Sequence, residues 1–252
     1  MEPGWVESWG ELAVICTALA LGGLMKGMTG MGLPLIAVPV MAAVLGVEQA
    51  VLVMVIPSFV LNLVQVVTHR ASRAAVPEVT RILIGGAVGA MIGATILYLA
   101  SEHTLALGLA VWLIAYVIFR ILHPTFALAL PLRMRLSPWV GVSAGAMQAA
   151  TGISAPIIVP YMDALRLESH AYVFAVCAPF GAFALAHCVL LIVGGIYTPA
   201  LVGQSLLAVV PAVAFVPVGA WCRRFVTPTA FDWLVRATLL AIAAQLIWST
   251  VD

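Results

Sequence analysis

The sequence predicts an all-α integral membrane protein of two inverted repeats, each with about five helical segments and each opening on a Gly/Pro-broken helical hairpin. Three observations carry this. The 252-residue chain is 64% hydrophobic and only 8% charged, where a soluble domain averages about a quarter charged residues. A Gly/Pro-rich stretch from Gly23 to Pro34 returns 122 positions later as Gly145 to Pro156. The loop arginines fall on alternate connections, as the positive-inside bias of a multi-pass protein requires.

The first segment, 10–29, is apolar, with Trp5 and Trp9 placed where an interfacial aromatic belt would hold it. The second, 33–46, has about a dozen residues, too few to cross ~30 Å of hydrocarbon as a straight helix. Pro34 suits its first turn, where a missing N–H costs nothing, and Gly30 and Gly32 allow the tight reversal before it. Segments one and two therefore read as a helix–break–helix hairpin. Segments 49–69, 79–100 and 104–122 complete the first repeat. In the fourth, Gly85, Gly86, Gly89 and Gly93 are assigned to close helix packing, which drives association in lipid.

Residues 1–122 form the first repeat, 123–137 a cytoplasmic connection and 138–252 the second repeat, all within one membrane domain. The second repeat reads as 138–151, 155–165, 170–194, 198–221 and 231–250, with Gly152 and Pro156 at its break. Aligned without gaps, Gly23–Pro57 and Gly145–Pro179 match at ten of 35 positions, where chance would give about three or four. Arg70, Arg73, Arg81, Arg120, Arg133, Arg135, Arg166, Arg223 and Arg224 all fall on one side, which is assigned to the cytoplasm of a cell inner membrane protein. Both termini then lie on the non-cytoplasmic side, and an odd number of segments per half makes the repeats inverted.

Several classes drop out. A net charge of +1 offers nothing to nucleic acid, and no Gly-x-x-x-x-Gly-Lys-Ser/Thr loop exists to drive an ATP-powered pump. Glu2, Glu7 and Glu11 stand where a signal peptide would carry basic residues, so none is expected. Cys16, Cys177, Cys188 and Cys222 sit in apolar runs without a CxxC pair and read as small buried hydrophobes. No metal and no cofactor is expected.

A broken helix repeated once in each half is a pointer to a transporter's binding site. Helix N-termini at Leu33 and Ala155 would present N–H groups and a positive dipole end to an anion. Thr29, Thr151 and Ser154 would add hydroxyl donors, or else cap the broken backbone. Lys26 is an ionisable residue in an apolar segment, a functional candidate by default, with snorkelling to the interface as the rival reading. Its counterpart is Gln148. The substrate-binding set is thus Lys26, Thr29, Gly30, Gly32 and Pro34 with Gln148, Thr151, Gly152, Ser154 and Pro156. His187 heads the coupling candidates because its ordinary pKa lies in the physiological range; Gln65, at the equivalent position, and Asn62 accompany it.

The sequence resembles the sulfite exporter TauE/SafE family of bacterial membrane transporters. The resemblance rests on Gly22-Gly23 through Gly30-Met31-Gly32-Leu33-Pro34 to Val38-Pro39. It also rests on Gly145 to Pro156 and Pro160, and on Gly219-Ala220-Trp221-Cys222-Arg223-Arg224. It spans nearly the whole chain, and the second copy departs from it at Ser154, where the first has Gly32. The resemblance implies a secondary transporter for a small anion such as sulfite, a sulfonate or another organic anion, bound at a midplane site between the two hairpins. Its partners would be that anion and the bilayer, with a proton as possible coupling ion and a homo-oligomer compatible with the pattern. Two rivals remain: an anion channel, and an intramembrane serine protease using Ser154 with His187 as base.

Overall fold

The computed structural model describes residues 9–29, 33–122 and 128–222, with positions 225, 233, 237, 240, 243 and 244 beyond them. In hydrocarbon the backbone must satisfy its own hydrogen bonds within each segment, and the described residues accordingly form helices and no strand. These are α1 (Trp9–Thr29), α2 (Leu33–Leu45), α3 (Val47–Thr68), α4 (Glu78–Leu99), α5 (Glu102–Leu122), α6 (Leu130–Thr151), α7 (Ala155–Asp163), α8 (Ser169–Val193) and α9 (Pro199–Cys222). A 3-10 turn, Arg70–Ala75, joins α3 to α4. Among the described residues, five helices are long and apolar enough to cross a membrane. Apolar side chains such as Ile84, Val88, Met91 and Ile92 of α4 point outward, as a lipid-facing surface requires.

Nine of the ten expected segments are present. The tenth, 231–250, lies almost wholly outside the described residues, as do the extreme N-terminus and Gly30 and Gly32. One boundary differs. α6 begins at Leu130 rather than near 138, so the last part of the expected connection is helical. Pro131 sits in its first turn, where proline is tolerated, and Arg133 finds an acidic partner on α4, so the two arginines do not end the helix.

The chain divides into two compact units that do not follow the repeat boundaries expected from sequence. One holds 1–57, 100–122 and 198–252; the other holds 58–99 and 123–197. In the first, α1 packs on α9 and α2. A Cβ at Gly23 or Gly27 would overlap the carbonyls of Ala212 and Val216, and one at Gly219 would overlap that of Leu24. In the second, α4 packs on α6 through Gly85, Gly89 and Gly93 against Pro138, Val142 and Ala146, and through Gly141 and Gly145 against Ile82 and Gly86.

These are the same contacts made twice. Gly23–Ala212 and Gly145–Gly86 occupy equivalent positions, as do Leu24–Gly219 and Ala146–Gly93, at constant offsets of 122 and 126 residues. In each unit the first helix of one expected repeat packs on the fourth helix of the other, α1 on α9 and α6 on α4. Backbones approach so closely because packing, not hydrophobicity, holds helices together in lipid.

Candidate functional site

The break of the second repeat is fully described. α6 ends at Thr151, and Gly152 adopts the left-handed conformation at φ 72°, which a side chain disfavours by about 1–2 kcal/mol. Its N–H donates to the Gln148 carbonyl at 2.8 Å, closing α6. α7 begins at Ala155 with Pro156 in its first turn; Pro34 takes the equivalent second position of α2.

Gln148 clips the two sides of this break together. Its Nε2 donates to the Gly152 carbonyl at 3.1 Å, and its Oε1 accepts the Ser154 hydroxyl at 2.7 Å. Thr151 Oγ1 donates to the Met147 carbonyl at 2.8 Å. All three side chains are buried. The two hydroxyls thus donate within the protein, Thr151 to a carbonyl of its own helix and Ser154 to the Gln148 side chain rather than to the backbone of α7. Ile157 donates back to the Ser154 carbonyl at 3.1 Å and Pro156 has no N–H. Of the first turn of α7, the Ala155 amide remains as donor among the described residues.

In the other unit Lys26 is only 2% exposed. It stands one turn along α1 from Gly22, whose Cα closes on Leu33 and Ala37 of α2. A four-residue spacing shares a helix face, so the lysine lies on the side of α1 that meets α2, and its burial is not that of a snorkelling residue. Thr29 is the last residue of α1.

The coupling candidates separate. Asn62 is buried, donates from Nδ2 to the Ser58 carbonyl at 2.7 Å, and lies beside Gly181 of α8. His187 is 1% exposed, and its Nε2 has no hydrogen-bond partner among the described residues. Gln65 is half-buried, and its carbonyl accepts His69. Ser154 donates to Gln148 rather than to His187, so the nucleophile–base hydrogen bond of a serine hydrolase is not formed.

Two constellations were not foreseen. Pro57 removes the N–H that would bond the Val53 carbonyl within α3. Ser205 of α9 supplies the replacement: its hydroxyl donates to that carbonyl at 2.8 Å and accepts the Ile56 N–H at 3.3 Å. In the other unit, Arg133 of α6 faces Glu78 of α4 with Nε to Oε1 at 3.7 Å. Its Nη1 donates to the Leu165 carbonyl at 3.3 Å, and its own carbonyl accepts the Tyr161 hydroxyl of α7 at 2.8 Å. A proline can be read for the carbonyl it frees four residues back, but nothing in the sequence says which hydroxyl answers it. Arg133 was legible only as a topological charge.

A family model described as "Sulfite exporter TauE/SafE" matches residues 15–246. The chain belongs to this family of membrane transporters. No curated protein and no solved structure matches it.

Proposed function

With that membership as premise, we propose that the chain is a secondary transporter that moves a small anion, of the sulfite or sulfonate class, across the cell inner membrane. The observation that carries the reading is the second break. A left-handed Gly152 and three buried polar side chains interrupt apolar helices of a family named for sulfite export. Maintaining such a break in lipid is costly, and transporters use discontinuous helices to hold substrates.

The roles follow from chemistry. Gln148 shapes the second break, whose remaining Ala155 N–H and positive helix end favour an anion. Lys26 supplies a full positive charge at the first hairpin, where low dielectric strengthens it. The Gly30–Gly32 break is its counterpart by sequence. His187, buried and with no hydrogen-bond partner at Nε2 among the described residues, is the proton-coupling residue. The repeats are inverted, which the twice-made packing contacts of α1–α9 and α6–α4 support, and both termini are non-cytoplasmic.

A thermal-shift series on purified protein tests the ligand class, since a ligand that binds only the folded state raises its stability. Sulfite and sulfonates should raise the Tm and neutral isosteres should not. Equal shifts with neutral analogues would contradict the anion assignment. For the topology, labelling of single cysteines introduced in a variant lacking the four native thiols should find residue 102 on the opposite side from residue 73. The same side for both would overturn it.

A further inference from the structure

We propose that Arg133 is a docking residue for a small oxyanion, and that the Glu78 carboxylate is the resident group the oxyanion displaces. This rests on the anion-transport reading and adds to it a second site, at the ends of α6 and α7 opposite the Gly152 break.

The pair is poorly made for a structural salt bridge. At 3.7 Å Nε and Oε1 are beyond hydrogen-bond distance, and Nε is buried with no hydrogen-bond partner among the described residues. The guanidinium has five donors in a rigid fork, and its one hydrogen bond among the described residues, to the Leu165 carbonyl, is long at 3.3 Å. An under-bonded guanidinium beside a nearly buried carboxylate is costly. A planar or pyramidal oxyanion taking two N–H groups at once would relieve that cost, as Arg–oxyanion forks do.

The surroundings hold the arginine in place without satisfying it. Tyr161 of α7 fixes its backbone carbonyl. Arg81, one turn along α4 from Glu78, donates to the Met134 carbonyl at 3.1 Å and brings a second positive charge close. The equivalent positions of the other repeat, at the same 122 and 126 offsets, are Glu11 and Gln204. The cation therefore occurs in one repeat only, on the side that the loop arginines assign to the cytoplasm.

The test is equilibrium binding of sulfite to purified full-length protein, with the Tm of each variant recorded. Glu78→Gln removes the competing carboxylate and should tighten sulfite binding about tenfold. Arg133→Gln should weaken it about tenfold or more, with Arg133→Lys between the two because the ammonium cannot form the fork. Arg135→Gln, an exposed neighbour on α6, changes net charge equally and should bind as wild type. Where Arg133→Gln fails to fold, the charge-balanced Glu78→Gln/Arg133→Gln pair replaces it and should still bind weakly. Wild-type affinity in both Glu78→Gln and the arginine variant would overturn the proposal. If Lys26→Gln weakens binding while these variants do not, this site falls and the transport reading stands. Wild-type protein that binds no sulfite or sulfonate overturns both.

Discussion

Replacing Gln148 by alanine removes the clip across the second helix break. Two buried hydrogen bonds are lost, Nε2 to the Gly152 carbonyl at 3.1 Å and Ser154 Oγ to Oε1 at 2.7 Å. Side-chain hydrogen bonds inside membrane proteins average about 0.6 kcal/mol each, so the bonds alone account for about 1 kcal/mol. The variant also strands the Ser154 hydroxyl and the Gly152 carbonyl in a buried site, which raises the expected loss to about 3 kcal/mol. Gln148→Glu keeps an acceptor for Ser154 but loses the amide donor, and should lie between. Ser154→Ala should cost less than Gln148→Ala, and the double variant should show a coupling of about 0.5–1.5 kcal/mol. Denaturant unfolding in detergent, followed by tryptophan fluorescence, reads all four. A loss under about 0.5 kcal/mol for Gln148→Ala, well below the mutational range for buried groups, would show that something other than Gln148 holds the break.

Lys26→Gln should weaken anion binding about ten- to a hundredfold, the 1.5–3 kcal/mol of a charge-assisted hydrogen bond, and Lys26→Arg less so; titration calorimetry that finds wild-type affinity in both would remove the lysine from the site. Gly152→Ala should cost about 1–2 kcal/mol from its left-handed backbone. Gly108→Ala, with open space around it, should gain about 0.5–1 kcal/mol of helix propensity, and equal Tm shifts for the two would contradict this. Ser205→Ala should destabilise by about 1–3 kcal/mol in native Pro57 protein and by less in a Pro57→Ala background, where α3 satisfies its own carbonyl. An unchanged cost in that background, measured by the same unfolding assay, would deny Ser205 this role.

Segment boundaries were legible because membrane helices announce themselves by apolar length. α2 starts at Leu33 and α7 at Ala155, where Pro34 and Pro156 placed them. The start of α6 was hidden because Arg133 and Arg135 look like loop residues until Glu78, some fifty positions earlier, is seen beside one of them. The Gly152 break was legible from its repetition, but the roles of its side chains were not. Thr151 and Ser154 as residue types serve equally as anion donors or as caps, and only the 2.7 Å contact to Gln148 decides where the serine proton goes. Gly85 and Gly89 carry close packing, as expected from sequence. That they meet backbone carbonyls rather than adaptable side chains, and so leave no room for even a methyl group, required the structure.

Uptake of labelled sulfite into proteoliposomes tests the central claim most directly. The account predicts saturable flux, competition by sulfonates, no measurable conductance in planar bilayers, and a higher half-saturating concentration in Lys26→Gln. Non-saturating flux with ohmic conductance, or no flux of any small anion by folded protein, would contradict it.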